Sequence, residues 1–246
     1  MNKRFFLWIL LFVAIGVFCW AGYEYYQIQQ VYITGNAAFD DIREAAITDG
    51  EQTDRDAELG IPAKGIDWDE LHAMSENVIG WIYSPGTPID YPVMRADDYQ
   101  YYLSRLPDGR FNANGSIFLD FNHAPDFSDP LSVLYGHHMR SGKMFGSLNG
   151  YRSQSFYDSH PVMFLYTPQR NYRIDLMSGF VLAERQWREN AFMFPENLPQ
   201  LLDFASKNTT FESSVTWTEG DRILGMSTCE YDFDGARYVV LGIMRY

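Results

Sequence analysis

From Val78 to the C-terminus, the chain consists of short apolar runs separated by Gly, Pro, Asn and Asp. Runs of this length and spacing are typical of the strands of a β-sandwich or a closed β-barrel. We therefore predict a mainly β domain over this part of the chain. The clearest candidate strands are residues 80–83, 116–120, 132–135, 162–166, 172–176 and 238–241.

Two segments have helical spacing instead. Residues 66–77 precede the first candidate strand and have Asp67 as an N-cap. Residues 195–207 lie between two late strands. In both segments apolar residues recur three or four positions apart, which predicts amphipathic helices. These residues are Trp68, Leu71 and Met74 in the first segment and Leu198, Leu201, Leu202 and Ala205 in the second.

The C-terminal end predicts a β-hairpin. Residues 222–229 and 236–245 form its strands, and the connection 231–235 contains an Asp-Gly turn signal. Residues two apart share one face of a strand. Cys229 and Arg237 therefore lie close together if the corresponding faces coincide. From the hairpin alone, an arginine at the surface of an edge strand is the more ordinary explanation.

The N-terminus has the pattern of a membrane anchor. Lys3 and Arg4 are basic, and residues 5–23 carry no charged side chain. At about 1.5 Å per residue, this run is long enough as a helix to cross a hydrocarbon core. The basic residues stay inside, which places the rest of the chain outside. A cleaved signal peptide is the alternative, but its apolar region is usually only ~7–15 residues, and residues 19–21 are a poor cleavage site.

This pattern predicts the organisation of the chain. Residues 1–4 form a cytoplasmic N-terminus and residues 5–23 form the anchor. Residues 24–65 are polar and form a stalk, in which residues 40–46 can form a short helix. Residues 66–246 form the folded outer domain.

The net charge limits the classes of partner. The formal net charge is −13. Because Lys3 and Arg4 precede the apolar run and every acidic residue follows it, the outer part is more acidic still. Nucleic-acid binding requires a basic surface, and lying flat on an anionic membrane requires basic residues as well. The charge therefore argues against both.

The chain has two cysteines, Cys19 in the apolar run and Cys229 near the C-terminus. A disulfide requires Cα atoms within ~7 Å of each other, which an anchor in lipid does not allow. Cys19 is interpreted as an apolar residue of the membrane helix. Cys229 is then a lone thiol in an oxidising compartment. It is a buried inert residue, a partner in an intermolecular disulfide, or a nucleophile.

A thiol nucleophile requires an acid or base partner, and the chain has five histidines. His137 and His138 follow a predicted strand through a glycine, so they lie at a strand end, where catalytic groups are often presented. We predict that His72 is solvated and that His123 and His160 are at the surface. Adjacent histidines point apart in an extended chain, and no Cys/His/Asp cluster has zinc spacing, so no metal site is predicted.

Several segments, in order along residues 66–246, resemble class B sortases, which are membrane-anchored cysteine transpeptidases of Gram-positive bacteria. The family motif T-L-x-T-C at a strand end is matched by residues 225–229 (GMSTC), which differ at the first two positions, and the family arginine is matched by Arg237. The family Tyr-Gly-His block is matched by residues 134–139 (LYGHHM). Further similar segments are 80–82 (GWI), 89–93 (IDYPV), 101–103 (YYL), 115–120 (GSIFLD) and 141–148 (SGKMFGSL).

The resemblance implies a fold and a mechanism. The fold is a closed sortase-type β-barrel of about eight strands, with helices before it and one helix between late strands. Cys229 attacks the carbonyl of a threonine in a C-terminal sorting signal, and the peptide bond after that threonine breaks to give a thioacyl-enzyme. His137 acts as general acid and then as base, and Arg237 stabilises the oxyanion or holds the signal peptide.

The resemblance also implies roles for neighbouring residues. Ser227, Thr228 and Glu230 are expected to contact substrate, and His138 is expected to be structural or to support the site. Asp120 either orients a catalytic group or caps the end of a strand.

The implied partners are secreted proteins that carry a C-terminal sorting signal, an amine of a peptidoglycan precursor or cross-bridge, and the membrane itself. No cofactor is expected. The expected location is the cell membrane, with a cytoplasmic N-terminus and the outer domain on the extracellular face. A hydrolase or a pilin-polymerising transpeptidase would use the same site. An inactive surface-binding module would keep the barrel without the chemistry.

Overall fold

The computed structural model describes residues 3–230 and 235–246, and at Lys3, Phe6, Ile28, Cys229 and Glu230 it describes only the main chain. It begins with a long helix, α1 (Lys3–Ala46), which is followed by a small antiparallel pair and two short helices. The pair consists of β1 (Ile47–Asp49) and β2 (Lys64–Ile66), and the helices are α2 (Asp54–Leu59) and α3 (Trp68–Met74).

The N-terminal part of α1 is apolar, and its described side chains from Arg4 to Gln27 are exposed. By length and composition, this one helix is able to cross a membrane. The exposure of so many large apolar side chains is costly in water and is relieved in lipid. The division of the chain into anchor, stalk and outer domain stays a prediction.

The second half of α1 differs from the expected polar stalk. The helix continues without a break to Ala46 instead of forming only at residues 40–46. Its buried face is formed by Ala38, Phe39 and Ala46, which recur at helical spacing. The ring of Phe39 packs edge-on against Tyr91, with centroids 5.2 Å apart. The polar residues of this segment cover the opposite face, which is why composition alone resembled a linker.

The predicted helix at residues 66–77 is confirmed as α3. The Asp67 side chain accepts a hydrogen bond from the main-chain N–H of Glu70, as expected of an N-cap. Leu71 is buried, and Trp68 and Met74 pack against the same apolar cluster.

Eight strands close into a barrel: β3 (Val78–Tyr83), β4 (Asp90–Arg95), β5 (Ile117–Leu119), β6 (Leu131–Gly136), β7 (Val162–Tyr166), β8 (Asn171–Ala183), β9 (Arg222–Glu230) and β10 (Ala236–Arg245). Their order around the barrel is β10-β8-β7-β3-β4-β5-β6-β9. The predicted mainly β fold with a closed barrel is therefore confirmed. Two of the neighbouring pairs, β4 with β5 and β6 with β9, are parallel.

Both faces of the barrel wall are buried in the part formed by β10. Tyr238 and Val240 belong to one apolar cluster, and Val239 and Leu241 belong to another. A strand that is buried on both faces is apolar at successive positions instead of alternating. This explains why the strands were recognisable as continuous apolar runs.

The connections between strands carry the remaining helices. The predicted helix at residues 195–207 is confirmed as a 3₁₀ turn (Pro195–Asn197) that continues into α6 (Leu198–Asn208). A helix that was not predicted, α5 (Glu184–Glu189), follows β8 directly. The other elements are 3₁₀ helices Tyr101–Leu103 and Gly146–Arg152 and the helix α4 (Gln154–Ser159).

Candidate active site

Three strand ends meet at one place on the barrel. The strand β9 lies between β6 and β10. In the parallel pair, Gly136 of β6 is the partner of Thr228, so the next residue, His137, is level with Cys229. In the antiparallel pair, Arg237 of β10 is the direct partner of Cys229. Neighbouring strands are about 4.8 Å apart. The main chain therefore places Cys229 between His137 and Arg237.

The predicted coincidence of hairpin faces is confirmed. Ser227 is the partner of Val239, and the antiparallel register of β9 and β10 has no shift from Cys229 to Arg222. Arg237 does not lie on an edge strand, because β10 also pairs with β8, where Leu182 is its partner. The alternative of a surface arginine is wrong, and the Arg237 side chain is only 15% exposed. Residues 231–234 of the predicted connection lie outside the described residues.

The ring of His137 is fixed by the segment before β5. Its Nε2 lies 2.5 Å from the carbonyl oxygen of Leu103. A carbonyl oxygen only accepts, so Nε2 carries the proton of this hydrogen bond. In the neutral ring, Nδ1 is then the nitrogen that is able to accept a proton.

Gly115 makes room for this ring. Its φ is +59°, and a Cβ atom there would lie 2.7 Å from the Leu103 oxygen and 2.9 Å from Cδ2 of His137. Both distances are shorter than real contacts of a Cβ atom. The glycine therefore allows the carbonyl and the imidazole to lie side by side.

Arg237 is held by an acidic residue that sequence reasoning missed. Its Nη2 donates a hydrogen bond to Oε2 of Glu184 across 2.6 Å. Glu184 is the first residue of α5, and its other oxygen pairs with Arg188 one turn later, at 2.9 Å. Its main-chain N–H donates to the carbonyl of Gly235 at 2.7 Å, next to β10. The ion pair with Arg188 and the main-chain hydrogen bond to Gly235 therefore both hold Glu184 beside the Arg237 guanidinium.

A cavity of about 340 Å³ opens beside Arg237. Burial, followed by the charges of Asp120 and Tyr99, raises the pKa of Tyr135 in its wall, so this phenol keeps its proton. The walls combine aromatic side chains with a few charged groups, as is usual for a ligand-binding pocket. They include Tyr99, Asp120, Tyr135, Glu184, Phe194 and Arg237.

Asp120 acts as a strand-end cap. Its Oδ1 accepts hydrogen bonds from the main-chain N–H of Asn122 at 2.9 Å and from the Asn122 side chain at 2.7 Å. Of the two roles expected for this residue, the local cap is therefore the one that its contacts support. It also contributes to the wall of the cavity beside Arg237.

Of the three residues expected to contact substrate, the structure describes the side chains of Ser227 and Thr228. Ser227 and Thr228 are almost completely buried. Within the part of the chain that the structure describes, neither hydroxyl has a hydrogen-bond partner. Such groups are rare in native proteins, and an ordered water or a bound ligand is among the partners that can satisfy them. The side chain of Glu230 is outside the described structure.

His72, His123 and His160 are not among the residues that line the cavity beside Arg237. The prediction that His123 is at the surface is wrong: it is 2% exposed, with Nδ1 3.8 Å from Oδ2 of Asp129. His72 is partly buried, and its Nε2 lies 3.0 Å from the Val78 oxygen. Across residues 3–230 and 235–246, no group of three or more His, Cys, Asp and Glu side chains is placed to hold a metal ion.

The chain is similar to sortase B proteins of known sequence. It is 26% identical to sortase B of Listeria monocytogenes over 236 residues, which covers 95% of this chain and 94% of that protein. It is 29% identical to sortase B of Staphylococcus aureus over 164 residues, covering 66% and 67% of the two chains. No family model matches the chain.

The fold is also similar to solved structures of this group. A structure of Staphylococcus aureus sortase B in a substrate complex superposes with a TM-score of 0.66 at 26% identity, covering 73% of this chain and 84% of that one. Together with the closed barrel and the three strand ends, these likenesses support a sortase transpeptidase. Among sortases, they support class B in particular.

Proposed function

We propose that Cys229, His137 and Arg237 form the active site of a transpeptidase that cleaves a C-terminal sorting signal after threonine and transfers the protein to a cell-wall peptidoglycan amine. The observation that carries this proposal is the strand register, which brings His137 and Arg237 to the two sides of Cys229. The substrate complex of the Staphylococcus aureus relative supports a substrate of the sorting-signal type.

In the first half of the reaction, the Cys229 thiol transfers its proton to Nδ1 of His137 and the sulfur attacks the threonine carbonyl carbon. A carbon–sulfur bond forms, and the carbonyl oxygen becomes an oxyanion that the Arg237 guanidinium stabilises. The carbon–nitrogen bond then breaks, and His137 gives its proton to the leaving amine. The product is a thioester between substrate and enzyme.

In the second half, an acceptor amine attacks the thioester carbon. A new carbon–nitrogen bond forms and the carbon–sulfur bond breaks, while Nδ1 of His137 takes a proton from the amine. The same proton returns to the sulfur of Cys229. The hydrogen bond from Nε2 to the Leu103 carbonyl keeps Nδ1 available in both halves.

The signal peptide occupies the cavity beside Arg237. Its aromatic wall suits apolar side chains of the signal, and its charged groups suit the peptide main chain. The buried hydroxyls of Ser227 and Thr228 gain partners if a substrate polar group reaches them. Glu230, next to the nucleophile in sequence, is proposed as a further contact with substrate.

The apolar half of α1 anchors the enzyme in the cell membrane. Lys3 and Arg4 remain on the cytoplasmic side, and the barrel lies on the extracellular face. A secreted substrate held at the same membrane by its own C-terminal tail is then confined with the enzyme to one surface. This raises their effective concentration without additional contacts.

The test uses the full-length chain in detergent micelles with a panel of fluorogenic peptides that differ in the sorting motif. We expect cleavage after threonine for at least one peptide, and a mass shift of the enzyme that matches a thioester. Cys229→Ala should abolish both, whereas Cys19→Ala should leave both unchanged because Cys19 lies exposed on α1.

Three other results would overturn the proposal. Cleavage that persists in Cys229→Ala would exclude this nucleophile. Absence of cleavage of every peptide, with Cys229 unreactive toward thiol reagents, would indicate an inactive binding module. A disulfide-linked dimer through Cys229 on a non-reducing gel would indicate a structural cysteine.

A further inference from the structure

A second cavity lies on the His137 side of the site. Its volume is about 670 Å³, and it is bounded by α1 on one side and by the segment that follows β6 on the other. Among the residues that the structure describes, it shares no lining residue with the cavity beside Arg237. The lining residues are Gln29, Tyr32, Ile33 and Asn36 of α1, together with Ala113 and residues 137–141.

The α1 wall of this second cavity is held in place by specific contacts. Asn112 donates a side-chain hydrogen bond to the carbonyl of Val31 at 3.0 Å, and Asn114 donates one to Oδ1 of Asn36 at 3.3 Å. Gly35 faces these two asparagines so closely that a Cβ atom would lie 2.5 Å from each. The helix is therefore docked on the barrel at the level of the second cavity.

The position of this cavity follows from the strand order. Because β9 lies between β6 and β10, the second cavity borders Cys229 through His137, and the first borders it through Arg237. A transpeptidase must bring two different substrates to the same carbonyl carbon, one after the other. Two cavities on opposite sides of the nucleophile allow the second substrate to enter while the acylated first substrate remains bound.

The lining of the second cavity suits an amine that must lose a proton. The side chains of Gln29, Tyr32, Asn36 and Ser141 are neutral and polar, and no carboxylate is among the lining side chains within residues 3–228 and 235–246. A carboxylate would hold an ammonium in its protonated, non-nucleophilic form. The neutral groups instead donate and accept hydrogen bonds to a peptide main chain.

We propose that the second cavity binds the acceptor, a peptide that carries a primary amine, and that α1 forms the wall that positions it. This inference rests on the proposed function, because it assigns a site to the second half of that reaction. The acceptor nitrogen forms its bond with the thioester carbon as the bond to sulfur breaks, and its proton passes to His137. The docked part of α1 is thus part of the acceptor site as well as the link to the membrane.

The test measures how the thioester is divided between water and amine. The full-length chain in detergent micelles receives a cleavable sorting peptide and either triglycine or Nα-acetyl-lysine, which offer an α-amine and an ε-amine. Ile33→Trp places a large side chain in the α1 wall. We expect the ratio of transfer to hydrolysis to fall at least fivefold, with a matching rise in the apparent KM for the acceptor that is used.

Thr34→Trp is the matched control, because Thr34 is exposed on the same turn of α1 and does not line the second cavity. Its ratio should equal that of the unaltered chain. Gln29→Trp, one turn earlier in the same wall, should reproduce the effect of Ile33→Trp. Thermal unfolding of all three variants should stay within about 2 °C of the unaltered chain.

An unchanged ratio in both Ile33→Trp and Gln29→Trp, with efficient cleavage, would overturn the acceptor site and leave the proposed function standing. Equal loss in Thr34→Trp would also overturn it, because the effect would then not depend on the cavity. If the unaltered chain cleaves no peptide, the proposed function itself fails. The preferred amine distinguishes a peptide N-terminus from a lysine side chain as the acceptor.

Discussion

The guanidinium of Arg237 and the carboxylate of Glu184 are joined by a hydrogen bond of 2.6 Å, although the two residues are 53 positions apart in sequence. Both side chains are partly shielded, with exposures of 15% and 32%. The pair connects the end of β10 to the start of α5. The catalytic arginine of the proposed mechanism is therefore positioned by a helix outside the motif that identifies it.

We expect Glu184→Ala to lower kcat about tenfold, because a charge-assisted hydrogen bond in a partly shielded site stabilises a side-chain position by roughly 1.5 kcal/mol. Glu184→Gln should recover most of this loss, since the amide oxygen still accepts from Arg237. The KM for the sorting peptide should change less than kcat. Steady-state cleavage of a fluorogenic peptide measures both quantities.

Glu189→Ala is the control for this prediction. Glu189 lies on the same helix and pairs with Arg185, and both side chains are largely exposed. Its replacement should leave kcat unchanged. A kcat in Glu184→Ala equal to that of the unaltered chain would show that Glu184 does not position Arg237.

We expect Arg237→Lys to lower kcat by about 10²–10³, which is the usual loss when a donor to an oxyanion is removed. Lysine keeps the charge but replaces the planar guanidinium by a single ammonium on a flexible stem. Arg245→Lys, at the other end of β10 and paired with Asp221, is the control and should have near-normal kcat. Equal activity of Arg237→Lys and the unaltered chain would exclude the proposed role.

The barrel and the hairpin were predictable because their signals are local. Strands buried on both faces are apolar at successive positions, and the two-residue period of a strand is enough to pair Cys229 with Arg237. The position of His137 beside Cys229 was harder to predict from the sequence. It depends on the parallel pairing of β6 with β9, which joins segments far apart in sequence and has no local pattern.

Three features were missed for different physical reasons. The sequence contains a pattern that predicts the docking of α1, since Ala38, Phe39 and Ala46 share a helical face within a polar segment. No pattern in the sequence predicts the pairing of Glu184 with Arg237, because it depends on how α5 packs on the barrel. The burial of His123 had no signal in the sequence either, because its neighbours Asn122, Ala124 and Pro125 are typical of a surface turn.

We expect Gly115→Ala to lower kcat at least tenfold and to lower the free energy of unfolding by roughly 1–3 kcal/mol. The added Cβ atom would clash with the Leu103 carbonyl and the His137 ring, which displaces the hydrogen bond that fixes the tautomer. Gly142→Ala is a matched control, because Gly142 also has a positive φ, of +79°, but no atom lies within 4 Å of its Cβ position. Gly142→Ala should lower the free energy of unfolding with little change in kcat. Equal kcat values for Gly115→Ala and Gly142→Ala would show that the Gly115 contact does not position His137.

We expect the domain to lose stability in mild acid because of His123. Burial lowers the pKa of this imidazole and outweighs the opposing effect of Asp120 and Asp129, while Arg95 lowers the pKa further. The folded state therefore holds the neutral ring, whereas the unfolded chain binds a proton below a pH of about 6.5. Because the unfolded state binds more protons, the free energy of unfolding falls as the pH drops below that value, by about 1.4 kcal/mol for each unit by which the pKa is lowered. Urea unfolding from pH 8 to pH 5 should show this slope in the unaltered chain and a smaller slope in His123→Phe, and equal slopes in the two chains would exclude His123 as the cause.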